Sequence, residues 1–239
     1  MRELCKRCGR PLVSCLCALV PPMRSATKLV FLMHPHEVRK VKCGTGRLAA
    51  LSFEDAEIIV GVGFDEDPRV AALLADPSYA PMLLYPGPSS RDLSRGGLAR
   101  DDLGGRRLLV FLIDATWPLA KKMLRESPVL QSLPRLMFTP VAKSRWLIKR
   151  QPDELCLSTI EAVHELMSAL ERAGLDRYER PDQLIAAFMA MQEYQLACAA
   201  DPEKRSRRRR PYAGAAERGK PIRGRNARSV FFRDPAPTD

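Results

Sequence analysis

The pattern of apolar and polar positions along the chain alternates between two kinds of segment. Short runs rich in Val, Leu, Ile and Phe predict five strands, several of them apolar throughout, as strands covered on both faces are. Amphipathic stretches between the runs predict helices. The strands are expected at 28–33, 58–62, 82–85, 107–113 and 135–138, and the helices at 46–56, 68–75, 117–126, 158–173 and 182–198. This alternation predicts an α/β fold with a mainly parallel sheet.

Composition divides the chain into three regions. Residues 1–22 form a compact cysteine-rich segment, residues 23–200 carry the strand and helix pattern, and residues 201–239 are rich in Arg, Gly and Pro with little apolar periodicity. The last region is expected to be a basic tail that is disordered in isolation. Within the central region, residues 86–105 are rich in Gly, Ser and charge, and predict a long loop between the third and fourth strands.

Charge points to a polyanionic partner, because Lys and Arg side chains displace counterions from nucleic-acid phosphates. The net charge is +11, but it is uneven. Residues 201–239 contain 12 Lys or Arg against 5 Asp or Glu, whereas residues 1–200 contain 27 against 23. No stretch approaches the roughly 18 apolar residues of a membrane span, and the first residues lack the apolar run of a secretory signal. We therefore expect a cytoplasmic protein with no membrane association.

Four of the seven cysteines lie within the first 17 residues, at Cys5, Cys8, Cys15 and Cys17. A CxxC pair followed by a CxC pair can supply four thiolates to one tetrahedral zinc ion. Because the cytosol disfavours disulfides, clustered cysteines there are typical of metal sites, although unrelated buried or redox-active thiols are an alternative. A site with four thiolates has no open position for substrate, so the predicted zinc is structural.

Ligands of open parallel sheets bind beyond the carboxyl ends of the strands, and Asp114 stands at such an end. A carboxylate there can orient or deprotonate a nucleophile, and Trp117 could stack on a base. The alternative is purely structural, with Trp117 in the core and Pro118 in the first turn of the next helix. Ser158 to Glu161 matches a capping box, which needs no ligand to explain it.

Two groups of basic residues are candidates for contact with RNA. The first follows the first strand and the second surrounds Trp146 after the fifth strand. Basic side chains interleaved with an aromatic ring suit single-stranded or looped RNA, which offers phosphates and splayed bases, and a solvated basic face is the alternative. The residues concerned are Arg39, Lys40, Lys42, Lys143, Arg145, Lys149 and Arg150.

An ordered set of motifs across residues 5–198 resembles the DTW-domain family of tRNA-uridine aminocarboxypropyltransferases. The motifs are CxxC…CxC, HPHE…GTGRLAALS, LLYPG, DATWPLAKKM, SRWLIKRQP and LSTIEAV. The resemblance implies a SPOUT-like fold with a C-terminal knot and an S-adenosylmethionine site. It implies that Asp114 is catalytic and that the donor pocket includes Tyr85, Pro86, Gly87, Trp117, Thr159 and Glu161.

The implied reaction transfers the 3-amino-3-carboxypropyl group of S-adenosylmethionine to a ring nitrogen of uridine in tRNA and releases methylthioadenosine. Two alternatives stay open. An RNA methyltransferase of the same fold would release S-adenosylhomocysteine instead, and a non-catalytic, zinc-containing RNA-binding protein would bind tRNA but not the donor. The sequence leaves open whether the protein is a monomer or a homodimer.

Overall fold

The computed structural model of the chain describes residues 3–40, 44–149, 153 and 155–201, with Lys40 described by its backbone alone. Within these residues, one sheet is flanked by helices. The strands are β1 (Lys28–Met33), β2 (Ala56–Val60), β3 (Tyr79–Leu84), β4 (Arg91–Asp92), β5 (Arg107–Asp114) and β6 (Arg135–Met137). The helices are α1 (Pro35–Lys40), α2 (Thr45–Ala50), α3 (Pro68–Ala75), α4 (Trp117–Arg125), α5 (Pro128–Gln131), α6 (Thr159–Arg172) and α7 (Pro181–Ala200).

All strand pairs in the sheet are parallel, as the sequence predicted, and the strand order is β2-β1-β5-β3-β6-β4. The central strand β5 pairs with β1 on one side and with β3 on the other. Every residue of β1 is buried, because helices cover both faces of the sheet. In this register Met33 lies opposite Asp114, so the carboxyl ends of β1 and β5 share one edge.

Successive side chains of a strand point to opposite faces, and β1 divides its apolar side chains between two cores in this way. Leu29 and Phe31 join the larger core, where α2, α6 and α7 pack. Val30 and Leu32 join the smaller core with side chains of α3, α4 and α5. The continuous apolar run of β1 thus supplies both layers of the fold.

The five predicted strands are confirmed with small shifts in their ends, and so are four of the five predicted helices. The prediction of a helix over 46–56 is wrong beyond Ala50, because the chain turns at 51–53 and begins β2 at Ala56. Phe53 is buried there and forms an isolated bridge with Met23, a contact that helical geometry would not allow. The short elements α1, α5 and β4 were not predicted.

The segment 86–105, predicted to be a long loop, is tied to the core. It contains β4 and two 3₁₀ turns at Leu93–Arg95 and Arg100–Leu103. Leu93, Leu98 and Leu103 are buried in the larger core. The segment is therefore a packed connection, and its apolar side chains were spaced too irregularly to show a period.

The cysteine-rich segment packs on the body of the protein. The Arg7 guanidinium donates to the carbonyl oxygens of Leu51 at 2.7 Å and Val20 at 2.9 Å. Arg10 lies 3.4 Å from the sulfur of Met191 in α7. These contacts dock the segment against the end of α2 and against α7.

In the described part of the chain, no helix has the length and apolarity that crossing a membrane requires.

Candidate functional site

A cavity of about 480 Å³ opens at the carboxyl ends of β3, β5 and β6. This volume lies in the range of small-molecule sites, and the wall is mainly apolar, as is usual for such sites. Its wall comprises Leu84, Tyr85, Pro86, Leu112, Ile113, Ala115, Trp117, Ala120, Leu136, Met137, Phe138, Thr139, Pro140, Asp153, Leu155, Cys156, Leu157, Thr159 and Ala162. A second, more open concavity near Ser25 and Asp176 lies at the opposite edge of the sheet.

Two aromatic rings frame one part of the cavity. The ring centroids of Tyr85 and Trp117 lie 6.3 Å apart in an edge-to-face arrangement, and the Arg135 guanidinium lies 5.7 Å from the centre of the Tyr85 ring. Trp117 stands at the start of α4, so the strand-to-helix turn after β5 brings its indole to the wall. Such a pair offers flat faces for a purine or pyrimidine ring.

Four of the six residues that the resemblance assigned to donor binding line this cavity: Tyr85, Pro86, Trp117 and Thr159. Gly87 and Glu161 are not among the lining residues. The Gly87 carbonyl instead accepts a hydrogen bond from the backbone N–H of Ser90 at 3.1 Å, which closes a turn.

Asp114, at the end of β5, has only 5% of its surface exposed and is not itself among the residues that line the cavity, although both of its chain neighbours are. Its Oδ1 accepts a 2.6 Å hydrogen bond from the Thr159 hydroxyl. Its Oδ2 is buried and has no hydrogen-bond partner among the described residues. At Gly46 a Cβ atom would stand 2.2 Å from Oδ2, so α2 can approach this carboxyl group only because position 46 has no side chain.

Burial raises the pKa of Asp114 from 3.8 to about 6, because the ionised carboxylate loses hydration. The Thr159 hydrogen bond lowers this pKa, the nearby Glu37 carboxylate raises it and the Lys149 ammonium lowers it. A carboxyl group that titrates close to neutrality is a better proton acceptor than an ordinary aspartate. The arrangement can therefore accept or orient a proton beside a bound ligand.

Glu161 has a role that sequence reasoning described only in part. Its carboxylate accepts hydrogen bonds from the N–H and hydroxyl of Ser158, which confirms the capping box. It also accepts from the Ser144 hydroxyl at 2.9 Å and the backbone N–H of Arg145 at 2.6 Å. With four donors around it, this carboxylate joins the start of α6 to the segment that precedes it.

That segment, residues 143–149, forms a loop that we call the basic loop. Trp146 is buried and meets the ring of Phe188 edge-on at 4.8 Å. Lys143, Arg145 and Lys149 are exposed, so the loop directs its apolar side chains inward and its charges outward.

A second buried side chain holds the same loop. The amide of Gln192, which has no exposed surface, accepts from the Leu147 N–H at 2.6 Å and donates to the Arg145 carbonyl at 3.1 Å. Sequence reasoning missed Gln192. It directly follows the apolar stretch 184–191 of α7 and precedes Glu193, so no local pattern marks it.

Of the other residues predicted to contact RNA, the structure describes only some. Arg39 is exposed on α1. The side chain of Lys40, together with Lys42 and Arg150, lies outside the described residues, as does the tail from residue 202.

The four N-terminal cysteines come together as predicted. Their sulfur atoms all lie within 4.8 Å of one another, with 3.7 Å between Cys5 and Cys17 and 3.8 Å between Cys8 and Cys15. The backbone N–H groups of Cys8 and Arg7 lower the pKa of Cys5 to about 6, whereas burial and the neighbouring thiols raise the pKa of Cys17. The cluster can hold a metal ion.

A parallel α/β sheet with a cavity and a buried carboxyl group at the carboxyl ends of its strands has the arrangement in which proteins of this class bind small ligands. The chain belongs to the DTW domain family, whose model matches residues 2–196.

Curated relatives support this assignment. The chain is 33% identical over 201 residues to tRNA-uridine aminocarboxypropyltransferase 2 of Drosophila melanogaster, a match that covers 82% of this chain and 76% of the fly protein. It is 28% identical over 202 residues to the protein of the same name from Macaca fascicularis, covering 82% of this chain and 66% of that relative. A relative from Arabidopsis thaliana, tRNA-uridine aminocarboxypropyltransferase A, is 26% identical, with 81% of each chain covered. No solved structure matches the chain.

Proposed function

We propose that the protein transfers the 3-amino-3-carboxypropyl group of S-adenosylmethionine to a ring nitrogen of a uridine in tRNA and releases methylthioadenosine. Membership of the DTW family and the names of the relatives support this transferase activity. The observation that carries it in this chain is the buried Asp114 carboxyl group, bonded to a residue of the cavity wall, with one oxygen free of any partner among the described residues.

The cavity is the proposed donor site. Its apolar wall and its Tyr85 and Trp117 rings suit the adenosine part of the donor. The sulfonium centre activates three carbon atoms, and a methyltransferase presents the methyl group to the nucleophile. In this protein the pocket has to present the methionine γ-carbon instead, so the orientation of the bound donor decides which bond breaks.

Asp114 is the proposed catalytic residue. As the uridine nitrogen attacks the γ-carbon, a nitrogen–carbon bond forms, the carbon–sulfur bond breaks, and its electron pair leaves with sulfur as the neutral thioether. The imide proton passes to the Asp114 carboxylate in the same step. An ordinary aspartate is a weak base for so weakly acidic a proton. Burial raises the pKa of Asp114 to about 6, which reduces the difference between the pKa of the carboxyl group and that of the uridine imide.

The four N-terminal cysteines are the proposed ligands of a structural zinc ion. A tetrahedral ion with Zn–S bonds of about 2.3 Å requires sulfur–sulfur distances of about 3.8 Å, close to those between the paired cysteines. The ion would hold together a segment too small to fold alone. Because zinc needs reduced thiolates, this site supports a cytoplasmic location.

The proposed RNA surface is the basic loop. Its Lys143, Arg145 and Lys149 side chains are exposed, with the Lys149 ammonium 4.7 Å from the centre of the Trp146 ring, and its backbone is held by Glu161 and Gln192. A fixed loop can bind phosphates without first being ordered, which lowers the entropic cost of binding. Arg39 extends the positive surface on α1, and the tail 201–239 is proposed to add non-specific affinity.

The proposed organisation follows from these sites. Residues 1–22 form the zinc segment, residues 23–200 the DTW catalytic domain and residues 201–239 a basic tail. For the catalytic domain we propose the SPOUT-like class with a C-terminal knot. The parallel sheet supports the α/β part of this proposal, and the knot comes from the family resemblance alone.

Chromatography of the nucleoside by-product tests the proposed function. Incubation of the protein with S-adenosylmethionine and unmodified tRNA should yield methylthioadenosine, and Asp114→Asn should greatly reduce it while the donor still binds. Accumulation of S-adenosylhomocysteine would instead identify a methyltransferase. Binding of tRNA without turnover of the donor would identify a non-catalytic RNA-binding protein.

A further inference from the structure

We propose that Thr159 is a positioning residue for the reaction, whose hydroxyl holds Oδ1 of Asp114 so that Oδ2 is the oxygen that receives the uridine proton. This inference rests on the proposed function, because it assigns a task to each oxygen of the proposed catalytic group. It also differs from donor binding, the role that the family resemblance implied for Thr159.

The hydrogen bond itself limits what Thr159 can do. A hydroxyl group has one proton, and the 2.6 Å bond to Oδ1 uses it. Towards a ligand in the cavity the Thr159 oxygen can then only accept a hydrogen bond. Thr159 can act on both the proposed donor site and the proposed catalytic residue, because it lines the cavity and contacts the Asp114 carboxyl group.

The position of the hydroxyl is fixed by its surroundings. Thr159 is the first residue of α6, directly after the N-cap Ser158, whose reciprocal bonds with Glu161 hold the helix start. The next residue, Ile160, is completely buried. A threonine side chain also has few favourable rotamers in a helix, so the hydroxyl is directed at Asp114 with little freedom.

The two oxygens of Asp114 are consequently inequivalent. Oδ1 accepts a hydrogen bond from the Thr159 hydroxyl. Oδ2 is buried beside Gly46 and has no hydrogen-bond partner in the described part of the chain. A buried polar atom without a partner is unfavourable, and a donor from a bound ligand would relieve that cost. The imide N–H of uridine is a single donor of this kind.

Charged groups on two further elements affect the pKa of the carboxyl group. Glu37 on α1 raises the pKa of Asp114, and Lys149 of the basic loop lowers it. The Thr159 hydroxyl lowers it as well, by stabilising the ionised form. Loss of this hydroxyl should therefore raise the pKa of Asp114 further above its ordinary value. A residue that only bound the donor would not affect this pKa.

Thr159→Val, which keeps the shape and removes the hydroxyl, tests the proposal, with Thr159→Ser as the conservative variant. The matched control is Thr27→Val, which removes the hydroxyl of a buried threonine directly before β1, at the end of that strand opposite to the Met33 and Asp114 pair. Turnover should fall by about tenfold or more in Thr159→Val, as for loss of a hydrogen bond to a charged group. The acid limb of the pH–rate profile should move to higher pH, calorimetry should show an unchanged donor Kd, and Thr159→Ser should restore turnover.

A second measurement separates this inference from the proposed function. The Asp114 carboxyl carbon, assigned with Asp114→Asn, can be titrated by NMR in the protein without donor or tRNA. A higher pKa in Thr159→Val, but not in Thr27→Val, supports positioning even if the wild type proves to be a methyltransferase. An unchanged pKa, or a donor Kd weakened by about tenfold with turnover preserved at saturation, would overturn it.

Discussion

Replacing Asp114 with asparagine should change the stability of the protein in a pH-dependent way. Burial raises the pKa of this carboxyl group from 3.8 to about 6, so the native state disfavours the ionised form. The stability that the protonated group contributes is fully present below pH 3.8 and is lost as pH rises through about 6. Asparagine has no such titration.

The size of the change in the free energy of unfolding follows from the difference between the two pKa values of Asp114. At about 1.4 kcal/mol per pH unit, it corresponds to about 3 kcal/mol between the two ends of the titration. The free energy of unfolding of Asp114→Asn minus that of the wild type should therefore grow by about 2.5 kcal/mol between pH 4 and pH 8, because a small part of the change already occurs below pH 4. Burial of the asparagine amide also changes the stability, but by the same amount at both pH values, so it does not contribute to this difference.

Urea melts at intervals between pH 4 and pH 8 measure this difference, provided that both proteins unfold with the same slope. Asp101→Asn, which changes an exposed carboxylate in the turn Arg100–Leu103, is the matched control and should show no comparable dependence. A difference between Asp114→Asn and wild type that does not vary with pH would refute the conclusion that this carboxyl group is desolvated.

Four further predictions address other parts of the molecule. Gly46→Ala should abolish most turnover and destabilise the fold by about 1–3 kcal/mol, because the new Cβ would lie 2.2 Å from the site carboxyl oxygen; turnover assays and urea melts check this. Gln192→Leu should raise the KM for tRNA and leave the donor Kd unchanged, since two hydrogen bonds to the basic loop are lost. Cys8→Ser should lower the melting temperature and the zinc content measured by metal analysis, whereas Cys198→Ser, outside the cluster, should change neither. Deleting 201–239 should weaken tRNA binding and flatten its salt dependence while turnover at saturating tRNA persists, and an unchanged salt slope would contradict this.

The features that sequence predicted well depend on local patterns. Strand β5 is an uninterrupted apolar run, so its end at Asp114 could be located within one residue. The capping box of Ser158 and Glu161 spans four positions and needs no tertiary information. The spacing of the N-terminal cysteines likewise indicates a cluster, which the structure contains.

The contacts that make the site work join residues far apart in the chain. Thr159 donates to a carboxyl group 45 positions away, and Gln192 bonds to Leu147 across a similar separation. The hydrophobic periodicity of the sequence does not predict such contacts, because they form only when α6 and α7 pack on the sheet. The loss of helix after Ala50 has a similar origin, since the buried contact between Phe53 and Met23 overrides local helical preference.

The donor's methionine carbons provide the most direct test of the proposed transfer. Unmodified tRNA is incubated with the protein and S-adenosylmethionine labelled either in the aminocarboxypropyl carbons or in the methyl group, and its nucleosides are analysed by mass spectrometry. The account predicts that the aminocarboxypropyl label enters uridine and that the methyl label leaves in methylthioadenosine. Methyl label in the tRNA, with none from the aminocarboxypropyl carbons, would contradict it.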